Sequence, residues 1–332
     1  MRVIDRIISK ASGLKVKIIF PEGWDERIIK AANFAVKKQI ADPVLVGNKD
    51  EIISKAKKER VNINKFTIID PTKSRKLNRY AKVYSRLSKT PLRTSLLIAK
   101  QPLFYSALAL RCNDVEAMIG GLVYTSGDFI AVCKGVIGLK KNIAVPSSFF
   151  IMEIPNFEDG KEKILVYADA SVNPNPSSAE LADIAIATAE STKKLLGITP
   201  RVALLSFSTK GSASHPDVSK VIEATKIARK KAKKFKIDGE LQADAALRLD
   251  VAKRKIKGDI GDVAGRANVL IFPDLDAANI SYKLTQILAK ANAYGPILQG
   301  FKKPLSDLSR GATVQDIIGV IAIVATITRG LK

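Results

Sequence analysis

The sequence has few of the residues on which covalent and metal-dependent chemistry usually relies. Its 332 residues include two cysteines and one histidine. Cys112 and Cys133 form no CxxC pair, which excludes a disulfide framework and a thiolate metal site. With His215 as the single imidazole, Ser-His-Asp, Cys-His and HExxH sites are strongly disfavoured. A catalytic base must therefore be Asp, Glu, Lys, Tyr or Cys, and the cysteine usage predicts a reducing, cytoplasmic location.

The sequence also lacks a long apolar segment. The longest apolar run is Ile317–Ile327, whereas a helix that crosses a bilayer needs about 20 residues. The first 15 residues are charged and amphipathic, without the apolar region of a secretory signal. We therefore expect no membrane association, and a buried helix at 317–327.

Acidic residues are scarce relative to basic ones. Lys and Arg total 55 against 32 for Asp and Glu, a formal net charge of +23. This excess favours an anionic partner: a nucleic acid, a membrane surface or a polyphosphate ligand. Aromatic residues make up only 6% and no nucleic-acid-binding motif is present, which disfavours the first of these. The basic segment Lys226–Lys236 is typical of an amphipathic helix with a solvated face.

Short apolar runs alternate with longer helical patterns, which predicts βαβ units. A chain of this length suits two α/β domains with mainly parallel sheets, and ligands of such sheets bind beyond the carboxyl ends of the strands. Domain joints are expected at Lys140–Pro146 and Gly295–Gly300. The predicted strands are Val16–Phe20, Pro43–Val46, Thr67–Asp70, Ala117–Ile119, Ile164–Tyr167, Val202–Ser206, Ile237–Leu241 and Val269–Phe272.

Two loops after predicted strands carry hydroxyl groups suited to an anionic ligand. In the loop 206–212, Ser208, Lys210 and the backbone N–H groups can bind a phosphate. An ordinary turn, with Ser214 capping the next helix, is slightly favoured there. In the segment 120–128, Gly120 and Gly121 permit close approach of a ligand, and Thr125 and Ser126 offer donors or a helix cap. Neither loop matches a nucleotide-binding fingerprint.

A third polar segment, 303–316, precedes the last apolar run. Thr313 and Asp316 fit the [ST]-x-x-[DE] pattern of a helix start. A first-turn carboxylate is also favoured by the helix dipole. By spacing alone, Asp316 is therefore a capping residue.

Several segments in a fixed order resemble the phosphate acetyltransferase and phosphate butyryltransferase family. They are PEGWDERIIKAA, ADPVLVG, ADASVNPNPSSAELADIAIATAE, SFSTKGSASHPDV, DGELQADAA, ANVLIFPDLDAANISYKL, GPILQG and SDLSRG. The resemblance covers nearly the whole chain. It implies a homodimer of isocitrate- or isopropylmalate-dehydrogenase-like subunits with the active site in an interdomain cleft. The domains expected on this basis are 1–145 plus 301–332, and 146–300.

The resemblance also implies site residues and substrates. The family's active-site Ser, Arg and Asp match Ser309, Arg310 and Asp316, and a substrate-binding Arg matches Arg86. A second family Arg, on the helix after the T-x-G-D segment, is missing here, and Lys134 lies on a similar helix face. A lysine lacks the planar fork of an arginine. Coenzyme A (CoA) is implied as a substrate with acetyl phosphate or phosphate, and no permanently bound cofactor is expected.

The implied reaction is direct attack of the CoA thiolate on an acyl phosphate in a ternary complex. Asp316 is the implied base, although an ordinary Asp and a thiol differ by roughly 4.6 pH units in pKa. Covalent catalysis by Cys112 or Cys133 is less favoured than packing of these residues. Two alternatives stay open: a butyryl or propionyl substrate, and a metal- and NAD(P)-dependent hydroxy-acid dehydrogenase of the same fold. Asp274 and Asp276 are the carboxylates that the dehydrogenase alternative offers for a metal, and Asp169 lies elsewhere in the sequence.

Overall fold

In a computed structural model, the chain folds into α/β units built on a mixed, mostly parallel sheet. The structure describes residues 2–141, 143–158 and 160–330. The strands are β1 (Val16–Phe20), β2 (Ala41–Val46), β3 (Thr67–Ile69), β4 (Ala117–Gly120), β5 (Ser147–Glu158), β6 (Lys161–Ala168), β7 (Arg201–Leu205), β8 (Lys236–Leu241), β9 (Val269–Ile271), β10 (Asn292–Gln299) and β11 (Leu305–Asp307).

Helices follow most of the parallel strands. They are α1 (Val3–Ala11), α2 (Glu26–Lys37), α3 (Lys49–Lys58), α4 (Leu77–Ser88), α5 (Leu92–Ala99), α6 (Pro102–Arg111), α7 (Ser126–Val136), α8 (Ser178–Leu196), α9 (Pro216–Lys231), α10 (Ala243–Leu247), α11 (Leu249–Lys255), α12 (Leu275–Leu288) and α13 (Val314–Gly330), with a 3₁₀ turn at Pro71–Lys73.

The chain divides into two compact units, residues 1–140 with 295–332, and residues 141–294. The sequence placed the joints at 140–146 and 295–300, and Asn142, within the first joint, lies outside the described residues. In the first unit the strand order is β3-β2-β1-β4-β11, and β10 pairs antiparallel with β11. In the second unit the order is β5-β6-β9-β7-β8, with β5 and β6 antiparallel. The predicted α/β class with mainly parallel strands is confirmed.

The central strands of the first unit are buried on both faces. In β1 four of the five residues are buried, the near-continuous apolar pattern expected of a parallel strand covered by helices. α13 packs against α1 and α2, and its residues Ile317–Ala325 are all buried. The predicted buried helix at 317–327 is therefore confirmed. Arg329, near its end, pairs with Glu116 at 2.6 Å.

One predicted helix differs from the structure. The basic segment 226–236 was expected to be helical throughout, but α9 ends at Lys231 and β8 begins at Lys236. Phe235 donates a backbone hydrogen bond to Ala232 in the turn between them. Among the helices of the described residues, none combines the length and the hydropathy that a bilayer-spanning segment requires.

Candidate functional site

Three loops of the first unit leave the carboxyl ends of neighbouring parallel strands. β1, β4 and β11 lie side by side in the sheet. The loops that follow them are residues 21–25, 121–125 and 308–313. The second and third loops are joined directly, because Leu308 N donates to Gly120 O. This edge is where a parallel sheet places its ligands. The loops after β4 and β11 carry Thr125, Ser309 and Arg310, and Ser126 and Asp316 lie in the first turns of the helices that follow.

A fully buried carboxylate shapes the loop after β4. Glu22 lies in the loop after β1 and has no exposed surface. Its Oε2 accepts hydrogen bonds from Gly121 N at 2.9 Å and Leu122 N at 3.0 Å. Its Oε1 accepts from Val123 N at 2.7 Å and Tyr124 N at 3.2 Å. Four N–H donors satisfy the acceptor capacity of a buried carboxylate. Glu22 therefore holds the backbone of residues 121–124 in place.

An arginine shapes the loop after β11. Arg27 Nη1 donates to the carbonyl oxygens of Arg310 at 2.8 Å and Ala312 at 3.1 Å. The guanidinium is oriented by Asp25, which accepts from its Nε at 3.0 Å and its Nη2 at 2.8 Å. Asp25 also caps α2 through Arg27 N. Although burial opposes it, these hydrogen bonds hold the pKa of the Asp25 carboxyl below its usual value.

Arg27 and Glu22 are site residues that sequence reasoning missed. Both lie in the segment PEGWDERIIKAA, which was recognised only as part of a resemblance. The helix-cap spacing of Asp25 was the sole local signal. The bonds of Arg27 join residues 283 and 285 positions apart, so no local pattern could have predicted them.

Ser309 and Arg310 lie on the turn that Arg27 holds. Both side chains are exposed. Ser309 Oγ accepts only a long hydrogen bond from Gly311 N, at 3.4 Å. The guanidinium of Arg310 makes no hydrogen bond or ion pair with any residue in the described ranges. The turn therefore presents a hydroxyl and an unpaired cation.

Asp316 lies in the first turn of α13, as its spacing predicted. Its Oδ2 accepts from Thr313 N at 2.9 Å and Thr313 Oγ1 at 2.8 Å, and Asp316 N donates to Thr313 Oγ1 at 3.2 Å. This reciprocal pattern is a capping box. The capping role is confirmed, and it uses one of the two carboxylate oxygens.

Thr125 and Ser126 begin α7 and differ in availability. Thr125 Oγ1 accepts from Asp128 N at 3.1 Å and donates to Asp128 Oδ2 at 2.7 Å. Thr125 is therefore the helix cap that was one of its two interpretations. Ser126 is exposed, and its hydroxyl has no hydrogen-bond partner of good geometry in the described part of the chain. Of the two hydroxyls, only that of Ser126 is available to a ligand.

Asp307, the last residue of β11, is the most unusual group of the site. It is 1% exposed, and neither Oδ1 nor Oδ2 has a hydrogen-bond partner among the described residues. Burial raises the pKa of Asp307 to about 7; the Ser126 hydroxyl partly offsets this effect and the Glu22 carboxylate adds to it. Sequence reasoning missed this residue, although it lies within SDLSRG.

Arg86 and Lys134 are not joined to the turn that carries Ser309. Arg86 is exposed in the last turn of α4, and Lys134 is exposed in the last turn of α7. Lys134 follows Ser126 by eight residues, or about 12 Å along the helix axis. Neither side chain has an ion-pair partner within the ranges that the structure describes. Both are free cations whose predicted contact with CoA stays a prediction.

Ser208 and Lys210 lie in the second unit and use their polar groups within it. Ser208 is fully buried and its Oγ donates to Glu240 Oε1 at 3.2 Å. Lys210 Nζ donates to Asp238 Oδ1 at 2.5 Å and Gly239 O at 2.9 Å. These contacts agree with the ordinary turn that was slightly favoured. The expected cap at Ser214 was wrong, because His215 Nδ1 accepts from Asp217 N.

The two cysteines are unsuited to nucleophilic catalysis. Cys133 is fully buried, and burial, together with the charge of Asp307, raises the pKa of its thiol well above the usual value. Burial also raises the pKa of the half-buried Cys112. A neutral thiol is a weak nucleophile. Within the described ranges, no three His, Cys, Asp or Glu side chains are grouped as metal ligands.

Comparison with known proteins identifies the family. The family model described as phosphate acetyl/butaryl transferase matches residues 2–325. A phosphate acetyltransferase of Thermoanaerobacterium thermosaccharolyticum is 46% identical over 328 residues, which cover 98% of this chain and 99% of that protein. A phosphotransacetylase structure from Streptococcus pyogenes has a TM-score of 0.91 at 34% identity and covers 98% of both chains.

A more distant structure supports the fold alone. The 4-hydroxythreonine-4-phosphate dehydrogenase from Klebsiella pneumoniae has a TM-score of 0.52 at 11% identity, over 95% of this chain and 98% of that one. The predicted dehydrogenase-like fold is thus confirmed, as is the predicted resemblance. By the extent of the family match and the identity to its relatives, the chain belongs to the phosphate acetyl/butaryl transferase family, a family of acyltransferases.

Proposed function

We propose that this chain reversibly transfers an acetyl group between acetyl phosphate and coenzyme A, with phosphate as the second product. The observation that carries the proposal is the difference between two neighbouring arginines. The guanidinium of Arg27 donates hydrogen bonds to carbonyl oxygens of the turn after β11. Arg310, which lies in that turn, is exposed, and its guanidinium has no partner in the described part of the chain. A planar guanidinium binds two phosphate oxygens at once.

The chemistry assigns a separate task to each group. The CoA thiol loses its proton, its sulfur attacks the acyl carbon, and the bond from that carbon to the phosphate oxygen breaks. Arg310 binds the phosphoryl group and balances the repulsion between two anionic substrates. Ser309 donates a hydrogen bond to the carbonyl or leaving oxygen as negative charge develops there. No covalent enzyme intermediate is needed, in keeping with the burial of Cys133.

Asp316 is the proposed acceptor of the thiol proton. Its Oδ2 is engaged by Thr313, so this role falls to Oδ1. The proposal extends to the remaining cations: Arg86 and Lys134 contact the phosphates of CoA. For Ser208 and Lys210 the described contacts support a structural role in their own loop, and direct substrate binding is the weaker proposal.

The dehydrogenase alternative has no specific observation in its favour. Asp274 Oδ1 caps α12 by accepting from Ala277 N at 2.8 Å. Asp169 is surrounded by donors, including Ser148 N at 3.0 Å and Asn173 N at 3.0 Å. Asp274, one of the two carboxylates that this alternative offered, and the more distant Asp169 are thus used to hold the backbone.

The proposed reaction is tested by CoA-dependent release of phosphate from acetyl, propionyl and butyryl phosphate. We expect the highest kcat/KM with acetyl phosphate. Butyryl phosphate as the best substrate would move the chain to the other branch of its family. Release that does not depend on CoA, or reduction of NAD(P) by a hydroxy acid with Mg²⁺, would contradict the proposal.

We further propose that the chain forms a homodimer through α12, in the cytoplasm. One face of this helix is apolar and exposed, with Ile280 at 56%, Leu284 at 51% and Ile287 at 73% exposure. Their spacing defines a single helical face, and such a surface is uncommon on a monomer. Sedimentation of the wild type and of Ile287→Glu tests this: a dimer that the substitution dissociates is expected, and a wild-type monomer contradicts it.

A further inference from the structure

Asp307 is a buried acidic group without the partners that an ionised carboxylate needs. Both oxygens lack a hydrogen-bond donor among the described residues, and burial of an unpaired carboxylate is costly. The contrast with Glu22 is direct, because Glu22 is equally buried and receives four backbone N–H donors. Of these two neighbouring acids, Asp307 is the one whose surroundings favour a bound proton.

The fold makes room for this side chain. Gly121 has φ of +107°, a conformation that side chains rarely adopt, and a Cβ atom at this position would overlap Asp307 Oδ1. Gly121, which the sequence suggested for close approach of a ligand, thus accommodates Asp307. A substitution that enlarges residue 121 would displace the acid.

The groups around the Asp307 carboxyl come from two elements. Glu22, in the loop after β1, contributes a negative charge, and the α7 residue Ser126 contributes a hydroxyl. Cys133, also on α7, is a buried thiol near enough to be affected by the charge of Asp307. No cation of the described residues contributes to the pKa of this carboxyl, which burial raises to about 7.

We propose that Asp307 is a positioning residue whose carboxylic acid donates a hydrogen bond to Ser126 Oγ and so turns the Ser126 hydroxyl hydrogen toward the substrate. The inference rests on the proposed acyl transfer. Ser126 is exposed and Asp307 is buried, and the Ser126 hydroxyl is near enough to the Asp307 carboxyl to lower its pKa against the effect of burial. When Asp307 loses its proton, the hydroxyl of Ser126 points to the carboxylate, and the substrate loses a donor.

The protonation state of Asp307 therefore determines whether the Ser126 hydroxyl donates its hydrogen bond to the ligand or to the Asp307 carboxylate. A hydroxyl has one hydrogen and two lone pairs. With a protonated partner it can accept from Asp307 and donate outward to a phosphate oxygen, whereas with an ionised partner its hydrogen is used inward. Asp307→Asn keeps a donor at every pH, because the amide N–H₂ does not titrate in this range.

The experiment compares kcat/KM for CoA-dependent acetyl transfer in the wild type and Asp307→Asn across neutral pH. The ratio of the two proteins cancels the titration of CoA and phosphate themselves. We expect the ratio of kcat/KM of Asp307→Asn to that of the wild type to rise about tenfold between about pH 6 and about pH 8.5. In a Ser126→Ala background the same ratio should stay flat with pH, which a merely structural role of Asp307 would not produce.

A second readout is independent of catalysis. Infrared difference spectra of the wild type against Asp307→Asn should show the C=O stretch of a protonated carboxylic acid below neutral pH and lose it above. If the ratio of kcat/KM between Asp307→Asn and the wild type does not change with pH while Ser126 is present, the proposal is overturned. The lack of the carboxylic acid band also overturns it. Inactivity of Asp307→Asn at every pH with an unchanged Tm also overturns it, in favour of Asp307 as a proton acceptor. If the wild type transfers no acyl group, the proposed function fails, and the band alone then decides whether Asp307 holds the proton.

Discussion

The turn after β11 and the turn after β7 contain the same kinds of residue but use them differently. Each carries hydroxyl groups and one cation close to a buried aspartate. After β7, Lys210 pairs with Asp238, which also receives Arg229. After β11, the exposed guanidinium of Arg310 and the buried carboxyl of Asp307 have no partner among the described residues.

In the turn after β7 the charged groups are paired with one another, whereas near the turn after β11 they are not. Hydroxyls, a cation and a glycine occur in both turns, yet the pattern slightly favoured an ordinary turn after β7, and only the family resemblance implied substrate binding after β11. Hydrogen bonding decides between them: where the cation already neutralises a carboxylate, a phosphate must compete with it. An unpaired cation and an unpaired acid in one turn indicate groups kept for a ligand or a proton.

The largest expected effect concerns the unpaired acid. Because the pKa of Asp307 is raised from 3.8 to about 7, the folded state holds a proton that the unfolded state releases, and stability falls as pH rises through this range. At about 1.36 kcal/mol per pH unit, the loss is about 4 kcal/mol. Urea unfolding at about pH 4 and about pH 8.5 should show the wild type losing this amount relative to Asp307→Asn. An identical change in both proteins would contradict the assignment.

Arg310→Ala should lower kcat/KM by about 10²–10³, equal to about 2.7–4 kcal/mol, since one charged contact to the reacting phosphate is lost. The Tm should not change, because the side chain is exposed and supports no described contact. Arg6, exposed on α1, offers a matched control, and Arg6→Ala should alter neither quantity. Near-normal turnover of Arg310→Ala would remove this residue from the site.

Lys210→Met tests whether the ion pair after β7 stabilises the fold and does not bind substrate. Without the ammonium group, Asp238 keeps the ion pair with Arg229 and the hydrogen bond from Gly239 N. We expect the free energy of unfolding to fall by about 1–3 kcal/mol, with kcat/KM within about threefold of the wild type. Lys226→Met serves as control, because its contact with Glu223 is long and exposed and should contribute little. A tenfold rise in the KM for CoA with unchanged Tm would instead support substrate binding by Lys210.

The smallest effect is expected for Asp316→Asn. The amide oxygen can still accept from Thr313, so the capping box and the Tm should be largely kept. Turnover should fall at least tenfold if Oδ1 takes up the thiol proton. Retained turnover with a lower Tm would leave Asp316 as a cap alone.

Most of the fold followed from apolar runs, and the strands that were missed share a physical cause. β5, β10 and β11 each take part in antiparallel pairs or contain buried polar residues, so they lack the apolar run followed by a helix. In β11, Ser306 and Asp307 are both buried. Ser306 Oγ donates to Pro296 O at 2.6 Å, a contact that makes its burial tolerable and that no local pattern reveals.

The candidate site was predictable where a residue acts through a local motif. Thr125, Thr313 and Asp316 fit helix-start patterns and behave as such. Arg27 and Asp307 could not be recognised in this way, since their importance arises from loops brought together from distant parts of the chain. The sequence predicted which turn carries the site residues, but not the long-range contacts that hold this turn in place.

The return of the chain to its first unit has a consequence for synthesis. β11 and α13 follow residue 294, yet they complete the unit that begins at residue 1. On the ribosome, residues 141–294 are therefore all available before the earlier unit can close. Until α13 emerges, the surfaces of α1 and α2 that it covers remain exposed, which makes this interval the stage at which a nascent chain is most open to aggregation or chaperone binding.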